Sequence, residues 1–268
     1  MTPRRTSPAR LWQLNDQLGE RDRLILGSLD RLRLATTRQL QRLHFTDSTP
    51  LANARAARRH LQRLAEDDLV TALERRVGGV RAGSGAIVWA LGVAGQRLMD
   101  RQRRGSIQPR KPWTPSAPFV AHRLAIAELY VELVEASRAT GALPGHFSAE
   151  PDCWRRFTGA AGPVTVKPDA YVVVAHADYD EAAFVEVDLA TESLPVLANK
   201  CRVYVNYRRS GREQRAHGVF PWVVFSVPTV ERRVAVERLF ETLPQPERSI
   251  FRVSLAGETA RLLLEGEP

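Results

Sequence analysis

Apolar residues recur with helical spacing through the first part of the chain. A helix is predicted for residues 20–33, where leucine and isoleucine side chains share one face. Thr36 or Thr37 can cap a second, short helix over residues 38–45. A polar break containing a proline then precedes a third helix, predicted for residues 51–68.

A strand-like alternation follows the third helix. Residues 69–91 alternate, turn from Gly78 and Gly79 through Gly85, and return as a second strand that ends near Leu91. Three helices followed by a hairpin is the order of a winged helix-turn-helix, in which the third helix enters the major groove of DNA. We therefore predict a basic N-terminal arm over residues 1–19 and a winged helix-turn-helix domain over residues 20–103.

Charge is divided unequally along the chain and supports a polyanionic partner. The net charge is +9, but residues 1–115 hold 22 Lys/Arg against 10 Asp/Glu, whereas the remainder holds 17 against 20. A genome rich in G and C would favour arginine over lysine, but it would not produce this asymmetry. The first domain is therefore expected to bind double-stranded DNA.

Seven arginines are the candidate DNA contacts. Four lie on the polar side of the third helix and three on the hairpin, where a wing would reach the phosphate backbone or the minor groove. They are Arg55, Arg58, Arg59, Arg63, Arg75, Arg76 and Arg81. The alternatives are an ordinary solvated helix surface or a winged domain that pairs with proteins. Winged domains also often act as homodimers on paired half-sites.

The second half of the chain predicts an α/β domain with a mixed sheet. A proline-rich linker over residues 104–118 precedes a domain over residues 119–268. Its pattern is an amphipathic helix from His122, two strands, a helix over residues 194–207, an apolar strand and a closing helix. The fold class is therefore α/β, or α+β for the whole chain.

Carboxylates on the two neighbouring strands are the candidate chemistry of this domain. Asp169 precedes one strand, and Glu186 and Asp188 are two residues apart on the next, so they share a face. Carboxylates gathered in this way repel one another unless a hard cation such as Mg²⁺ or Mn²⁺ neutralises them. Such an ion can activate water for phosphate chemistry. Lys200, on the following helix, can reach the same pocket.

The ordered motifs Lys167-Pro168-Asp169 and Glu186-Val187-Asp188 resemble the core of PD-(D/E)xK nucleases. With the winged helix, Lys200, Tyr204 and the late apolar strand, the chain resembles the replication-relaxation family of actinobacterial plasmids and mobile elements. The resemblance spans roughly residues 20–245.

This resemblance implies a restriction-endonuclease-like second domain and relaxase-like nicking. By the same resemblance, Asp169 and Glu186 bind the metal, and Asp188 adds a third ligand. The chain departs from the motif where Asp188 stands at the position of the usual lysine, and Lys200 is expected to replace that lysine from the helix.

Other residues near these motifs have simpler interpretations. Tyr204 is interpreted as a core or hydrogen-bonding residue rather than a nucleophile, and Glu128 as part of a solvated helix face rather than an outer metal ligand. For Glu192 the sequence favours neither a functional nor a structural role. Cys153 and Cys201 are interpreted as small buried hydrophobic residues, because they form no metal-binding spacing.

Two main functions remain open on the sequence. The first is a DNA-binding protein of plasmid or mobile-element replication, with a metal-dependent nickase or endonuclease activity. The second is a non-catalytic DNA-binding regulator or adaptor with a degenerate nuclease-like domain, and a defence or toxin-like nuclease is a third.

Replication or conjugation proteins are candidate partners. A cytoplasmic location is expected, because the sequence contains neither an apolar run long enough to span a membrane nor a secretory signal.

Overall fold

The structure is a computed structural model that describes residues 7–73, 87–102, 115–140, 144–176 and 179–265. The chain divides into two units, residues 1–131 and residues 132–268. Most of the predicted linker and the turn of the predicted hairpin lie outside the described residues. Within the described ranges, no helix combines the length and the apolar character needed to cross a membrane.

The first unit is mainly helical with one small sheet. Its helices and strands, in chain order, are α1 (Pro8–Gln17), α2 (Glu20–Leu32), β1 (Ala35–Thr36), α3 (Thr37–His44), α4 (Pro50–Glu66), β2 (Val70–Ala72), β3 (Val88–Leu91) and α5 (Val93–Gln102), followed by α6 (Ala117–Thr140), within which the boundary between the units falls. The sequence pattern thus predicted α2, α3 and α4 to within a few residues, whereas it gave no helix for the α1 segment.

Caps at the helix N-termini explain where the helices begin. Thr36 caps α3 by accepting from the backbone N–H of Gln39, and the Gln39 side chain accepts in return from the backbone N–H of Thr36. Thr49 caps α4 by accepting from the backbone N–H of Ala52, and Pro50 occupies the first helical position. The interior of the unit is filled by apolar side chains that include Ile25, Leu29, Leu40, Leu61 and Leu64.

Strand β3 lies between β1 and β2 and is antiparallel to both. The indole N–H of Trp89 on β3 donates to the Thr37 hydroxyl at 2.9 Å and so links the sheet to the start of α3. The described part of the unit therefore contains helices at the three predicted places, α2, α3 and α4, followed by the antiparallel strands β2 and β3, and it adds α1 and β1.

The second unit is built on a five-stranded sheet. Its helices and strands, in chain order, are β4 (Pro144–Ala149), β5 (Arg155–Gly159), β6 (Gly162–Val166), β7 (Ala170–Ala175), β8 (Asp180–Val187), α7 (Leu194–Arg209), α8 (Arg212–His217), β9 (Trp222–Val227), α9 (Val230–Glu241), a 3₁₀ turn (Glu247–Ile250), β10 (Phe251–Leu255) and α10 (Thr259–Glu265).

The sheet has the order β10-β9-β8-β7-β4, and β5 pairs with β6 in a separate two-stranded sheet. Strands β8, β9 and β10 run parallel to one another, whereas β7 is antiparallel to both β8 and β4. The predicted mixed sheet and the α/β class are thus confirmed. Strands β4, β5 and β10 and helices α8 and α10 were not among the predicted elements.

Aromatic side chains pack α7 and α9 onto one face of the sheet. The ring of Phe184 on β8 lies 5.8 Å from that of Tyr204 on α7, and Phe225 on β9 lies 5.5 Å from Phe240 on α9. Glu186 shares this face with Phe184, because the two are two residues apart on β8. The sheet therefore presents Glu186 to α7, next to the aromatic and aliphatic side chains of this core.

Candidate functional site

Asp169 and Glu186 occupy facing positions on neighbouring antiparallel strands. Ala170 pairs with Val185, so one further step along the ladder sets Asp169 opposite Glu186. The backbone N–H of Asp169 donates to the Val185 carbonyl at 3.0 Å, and Oδ2 of Asp169 accepts from the N–H of Val187 at 2.7 Å. Both carboxylates are buried. The structure therefore brings together the two acids that the sequence selected.

Two donors from α7 bind the carboxylate of Glu186. Nζ of Lys200 donates to Oε2 at 3.0 Å, and the hydroxyl of Tyr204 donates to Oε1 at 2.5 Å. Burial and the nearby charge of Asp169 nevertheless raise the pKa of Glu186 from 4.5 to about 7, because the two donors only partly offset them. Glu186 is thus poised to change its protonation state near neutral pH.

Lys200 lies between two acids. In addition to Glu186, Nζ contacts a carboxylate oxygen of Glu192 at 2.8 Å. Burial alone would lower the pKa of Lys200, but the charge of Glu186 and the hydrogen bond to Glu192 raise it above its ordinary value. The ammonium group is therefore charged and turned toward the acids, as expected for a lysine supplied from the helix.

Asp188 has a different set of contacts. Its Oδ2 accepts from Nε of Arg232 on α9 at 2.6 Å, and its Oδ1 accepts from the N–H of Ala190 at 2.7 Å. Arg232 also donates to the backbone carbonyl of Glu192 at 2.7 Å. The pair therefore ties the loop after β8 to α9. Arg232 was not among the predicted site residues, since its helix carries several arginines and no pattern distinguishes it.

Tyr204 is a buried hydrogen-bond donor. Burial and the charge of Glu186 hold the pKa of its phenol well above 10, so the hydroxyl keeps its proton near neutral pH. This agrees with the hydrogen-bonding role predicted from the sequence. Cys153 and Cys201 are buried, as predicted, and both are free thiols.

Glu128 lies in the first unit, on α6. It accepts hydrogen bonds from Arg42 and, at 2.8 Å, from Nε2 of Gln39, both on α3. These contacts give Glu128 a packing role within its own unit.

The buried acids have the oxygen donors that a hard divalent cation takes. Asp169 and Glu186 face each other across the strand pair, and carboxylate oxygens of Glu150 and Asp169 lie within 4.8 Å of one another. Burial and the charge of Asp169 raise the pKa of Glu186, and a bound cation would oppose both effects by favouring the ionised carboxylate. Asp169 and Glu186 thus fit the predicted metal site better than Asp188, whose oxygens already have an arginine and a backbone donor.

An arginine surface runs along α4. Ala57, Leu61 and Leu64 are buried, and the opposite side of the helix exposes Arg55, Arg58 and Arg59. Within the described residues these three arginines form no ion pair and no hydrogen bond through their side chains. Their guanidinium groups are therefore available to an external anion.

Arg63 differs from the other α4 arginines because it already has a partner. Its Nη2 lies 2.5 Å from Oδ1 of Asp22 on α2, a carboxylate that is buried and also contacts His60. The three predicted wing residues, Arg75, Arg76 and Arg81, lie outside the described residues.

The fold and these contacts define a two-unit α/β protein with an arginine-bearing helix in one unit and a buried acid–lysine cluster in the other. Comparison with known families matches residues 26–223 to a family described as replication-relaxation. The match covers most of the chain, so the protein belongs to the replication-relaxation family. Searches against curated proteins and against solved structures give no match. Membership supports a role in the replication or relaxation of a plasmid or mobile element.

Proposed function

We propose that the protein binds double-stranded DNA through α4 of a winged helix-turn-helix unit. The observation that carries the proposal is the arginine face of α4, formed by Arg55, Arg58 and Arg59, whose guanidinium groups are exposed and unpaired within the described residues. Arginine offers a planar set of donors that suits phosphates and the edges of guanine. The helices α2, α3 and α4 precede β2 and β3 in the order of a winged helix-turn-helix, in which the third helix, here α4, would enter the major groove.

A gel-shift experiment tests this assignment. Exchanging the three arginines together (R55E/R58E/R59E) should abolish retention of duplex DNA, and R58Q alone should lower the dependence of affinity on salt by about one unit of log–log slope. The matched control is R238E/R248E/R261E, which makes the same change of charge at exposed positions of the second unit. Equal loss in both triple variants would show a non-specific charge effect and would defeat the assignment. The stoichiometry of the shifted band would show whether a homodimer binds.

For the second unit we propose a metal-dependent nicking site at Asp169 and Glu186, with Lys200 as its cationic group. The supporting observation is that Lys200 points inward and contacts Glu186 at 3.0 Å. A bound Mg²⁺ or Mn²⁺ would supply an activated water and neutralise charge on the transferring phosphate. Asp169 and Glu186 would hold the ion, Lys200 would offset the negative charge of the phosphate, and Tyr204 would fix the orientation of Glu186.

Supercoiled plasmid incubated with Mg²⁺ or Mn²⁺ tests the catalytic proposal. Wild-type protein should convert it to the open-circular form, and D169N and E186Q should each remove this conversion. The matched control is D180N, which neutralises an exposed acid at the start of the same strand as Glu186. Full activity in D169N and E186Q would overturn the proposed site.

The second candidate function is a non-catalytic regulator or adaptor. It is favoured by the internal pairing of the acids: Asp188 is bound by Arg232, and Glu186 by Lys200 and Tyr204. In that case the second unit would bind a replication or conjugation protein, and DNA would be retained but never nicked. Wild-type protein that shifts duplex DNA yet leaves plasmid supercoiled with either metal would decide for this function.

A further inference from the structure

A cavity of about 300 Å³ lies in the second unit at the far end of α7 from the acids. Its lining includes Arg208 from α7, Gln214 from α8, Phe220 and Trp222 around the start of β9, and Ser249 from the 3₁₀ turn. The volume is at the lower end of the range for small-molecule sites, about 300–1,000 Å³. A single nucleotide unit therefore suits it, whereas a duplex does not.

The surface of the helices next to the cavity is basic. Residues 201–217 contain five arginines and a single acid, Glu213, which is buried and bound by Arg155 at 2.9 Å. The arginines are Arg202, Arg208, Arg209, Arg212 and Arg215. In the part of the chain that the structure describes, no carboxylate pairs with Arg202, Arg212 or Arg215. The second half of the sequence has a negative net charge as a whole, so this local excess of arginine is not evident from its composition.

One polar atom at the cavity has no partner among the described residues. Nε2 of Gln214 donates to the backbone carbonyl of Arg208 at 3.0 Å, which fixes the amide and leaves Oε1 buried without a donor. An unsatisfied buried acceptor is costly, typically by about 1–3 kcal/mol. A ligand that carries an N–H group into the cavity would satisfy it.

Aromatic rings form the other part of the lining. Trp222 lines the cavity, and the guanidinium of Arg252 lies 4.0 Å from the centre of its ring. Phe220 lies beside Tyr207 and Phe184, which support it from the core. Aromatic rings next to arginines are the combination that binds single-stranded nucleic acid, because bases stack on the rings and phosphates contact the cations.

We propose that this cavity binds one nucleotide of a single DNA strand, with its base against Trp222 and Phe220, a base N–H on Oε1 of Gln214 and its phosphates on the neighbouring arginines. The inference rests on the proposed DNA-binding function and adds a second contact, to a separated strand. Lys200 and Arg208 are eight residues apart on α7, which is about 12 Å along the helix axis. A strand in this cavity would thus lie within a few nucleotides of the acid cluster.

Fluorescence anisotropy of a labelled short oligothymidylate, measured on the full chain, tests the proposal. The protein should bind the oligonucleotide, and R55E/R58E/R59E should still bind it, because the cavity lies in the second unit. W222L should weaken binding by about 5- to 150-fold, the range that corresponds to one base–aromatic stack. Q214L, which removes the unpaired acceptor, should weaken it by about 5-fold or more.

Matched controls exist in the first unit. W12L removes an exposed tryptophan that also has an arginine against its ring, and Q17L removes an exposed glutamine. Neither should change the affinity for the oligonucleotide. Thermal melting would check that W222L is folded. If it is not, the affinities of Q214L and R208Q for the oligonucleotide test the proposal instead, and both should be lower than that of the wild type.

Three results would overturn the proposal. The first is that folded W222L and Q214L bind the oligonucleotide as tightly as the wild type. The second is that the α4 triple variant no longer binds the oligonucleotide. The third is that inorganic phosphate competes as well as thymidine monophosphate does. Failure of the proposed α4 function is a separate result. In that case wild-type protein would not shift duplex DNA, whereas it would still bind the single strand and Q214L would still bind the single strand more weakly.

Discussion

Arg232 and Asp188 form an ion pair at 2.6 Å that is almost fully removed from water, since their side chains are 13% and 2% exposed. The pair connects the end of β8 to α9 and, through the backbone of Glu192, holds the loop that follows the strand. Asp188 stands where the nuclease motif usually has a lysine. Its partner is therefore Arg232, which lies 44 residues later in the chain. This contact favours a stabilising role for Asp188.

Removing one member of that pair should destabilise the second unit. R232Q leaves a buried carboxylate without its counterion, which typically costs about 3–5 kcal/mol in the free energy of unfolding. The double variant D188N/R232Q should lose less than the sum of the two single changes. Urea unfolding measures both effects, with R238Q, an exposed arginine on the same helix, as the control. A D188N protein of unchanged stability that no longer nicks DNA would instead support the predicted metal ligand.

The pH dependence of stability should report the carboxyl of Glu186. Because its pKa is raised from 4.5 to about 7, the folded state holds this proton more tightly than the unfolded chain. The stability that the group contributes is present below pH 4.5 and is lost as the pH rises to about 7.

E186Q cannot ionise, so it should gain stability relative to the wild type over this interval, by about 3 kcal/mol. Urea unfolding of both proteins across the interval measures the difference. E258Q, which alters an exposed acid, should run parallel to the wild type. A constant difference between E186Q and the wild type would show that Glu186 does not titrate in this window.

The local elements were predictable because they depend on short-range patterns. The spacing of leucines predicts α3 and α4 without reference to the rest of the chain, and the cap at Thr36 and the break at Pro50 indicate where they begin. The facing of Asp169 and Glu186 was expected as well, because both adjoin apolar strands close in sequence. These predictions needed only the periodicity of a helix or a strand.

Long-range partners were not predictable in the same way. Arg232 meets Asp188 because β9 brings α9 back over the sheet, and Arg63 near the end of α4 meets Asp22 near the start of α2, 41 residues earlier in the chain. Both arginines lie in helices rich in arginine, where residue type alone does not separate a structural pair from an exposed surface. The parallel pairing of β10 with β9 likewise depends on a crossover connection, which no local sequence pattern predicts.

Tyr204 should act as a donor to Glu186 and not as a nucleophile. Its phenol has a pKa held well above 10 by burial and by the charge of Glu186. Y204F removes a hydrogen bond that lowers the pKa of Glu186, so the pH dependence associated with Glu186 should move to higher pH.

Unfolding and plasmid nicking across pH measure this shift, and Y179F at an exposed tyrosine is the control. Denaturing electrophoresis of labelled plasmid should show no protein–DNA adduct. An adduct that forms with the wild type and disappears in Y204F would contradict the assignment.

Arg63 should contribute to stability more than to DNA affinity. It lies 2.5 Å from the buried Asp22, whose pKa is lowered because the hydrogen bonds from Arg63 and His60 outweigh the opposing effect of burial. R63Q should therefore reduce the free energy of unfolding by about 1.5–3 kcal/mol, as expected for a hydrogen bond to a charged group. The control is R58Q on the exposed face of the same helix, which should melt as the wild type does yet bind duplex DNA more weakly. If R63Q keeps full stability and loses as much affinity as R58Q, Arg63 contacts DNA as the sequence predicted, and its pairing with Asp22 gives way when DNA binds.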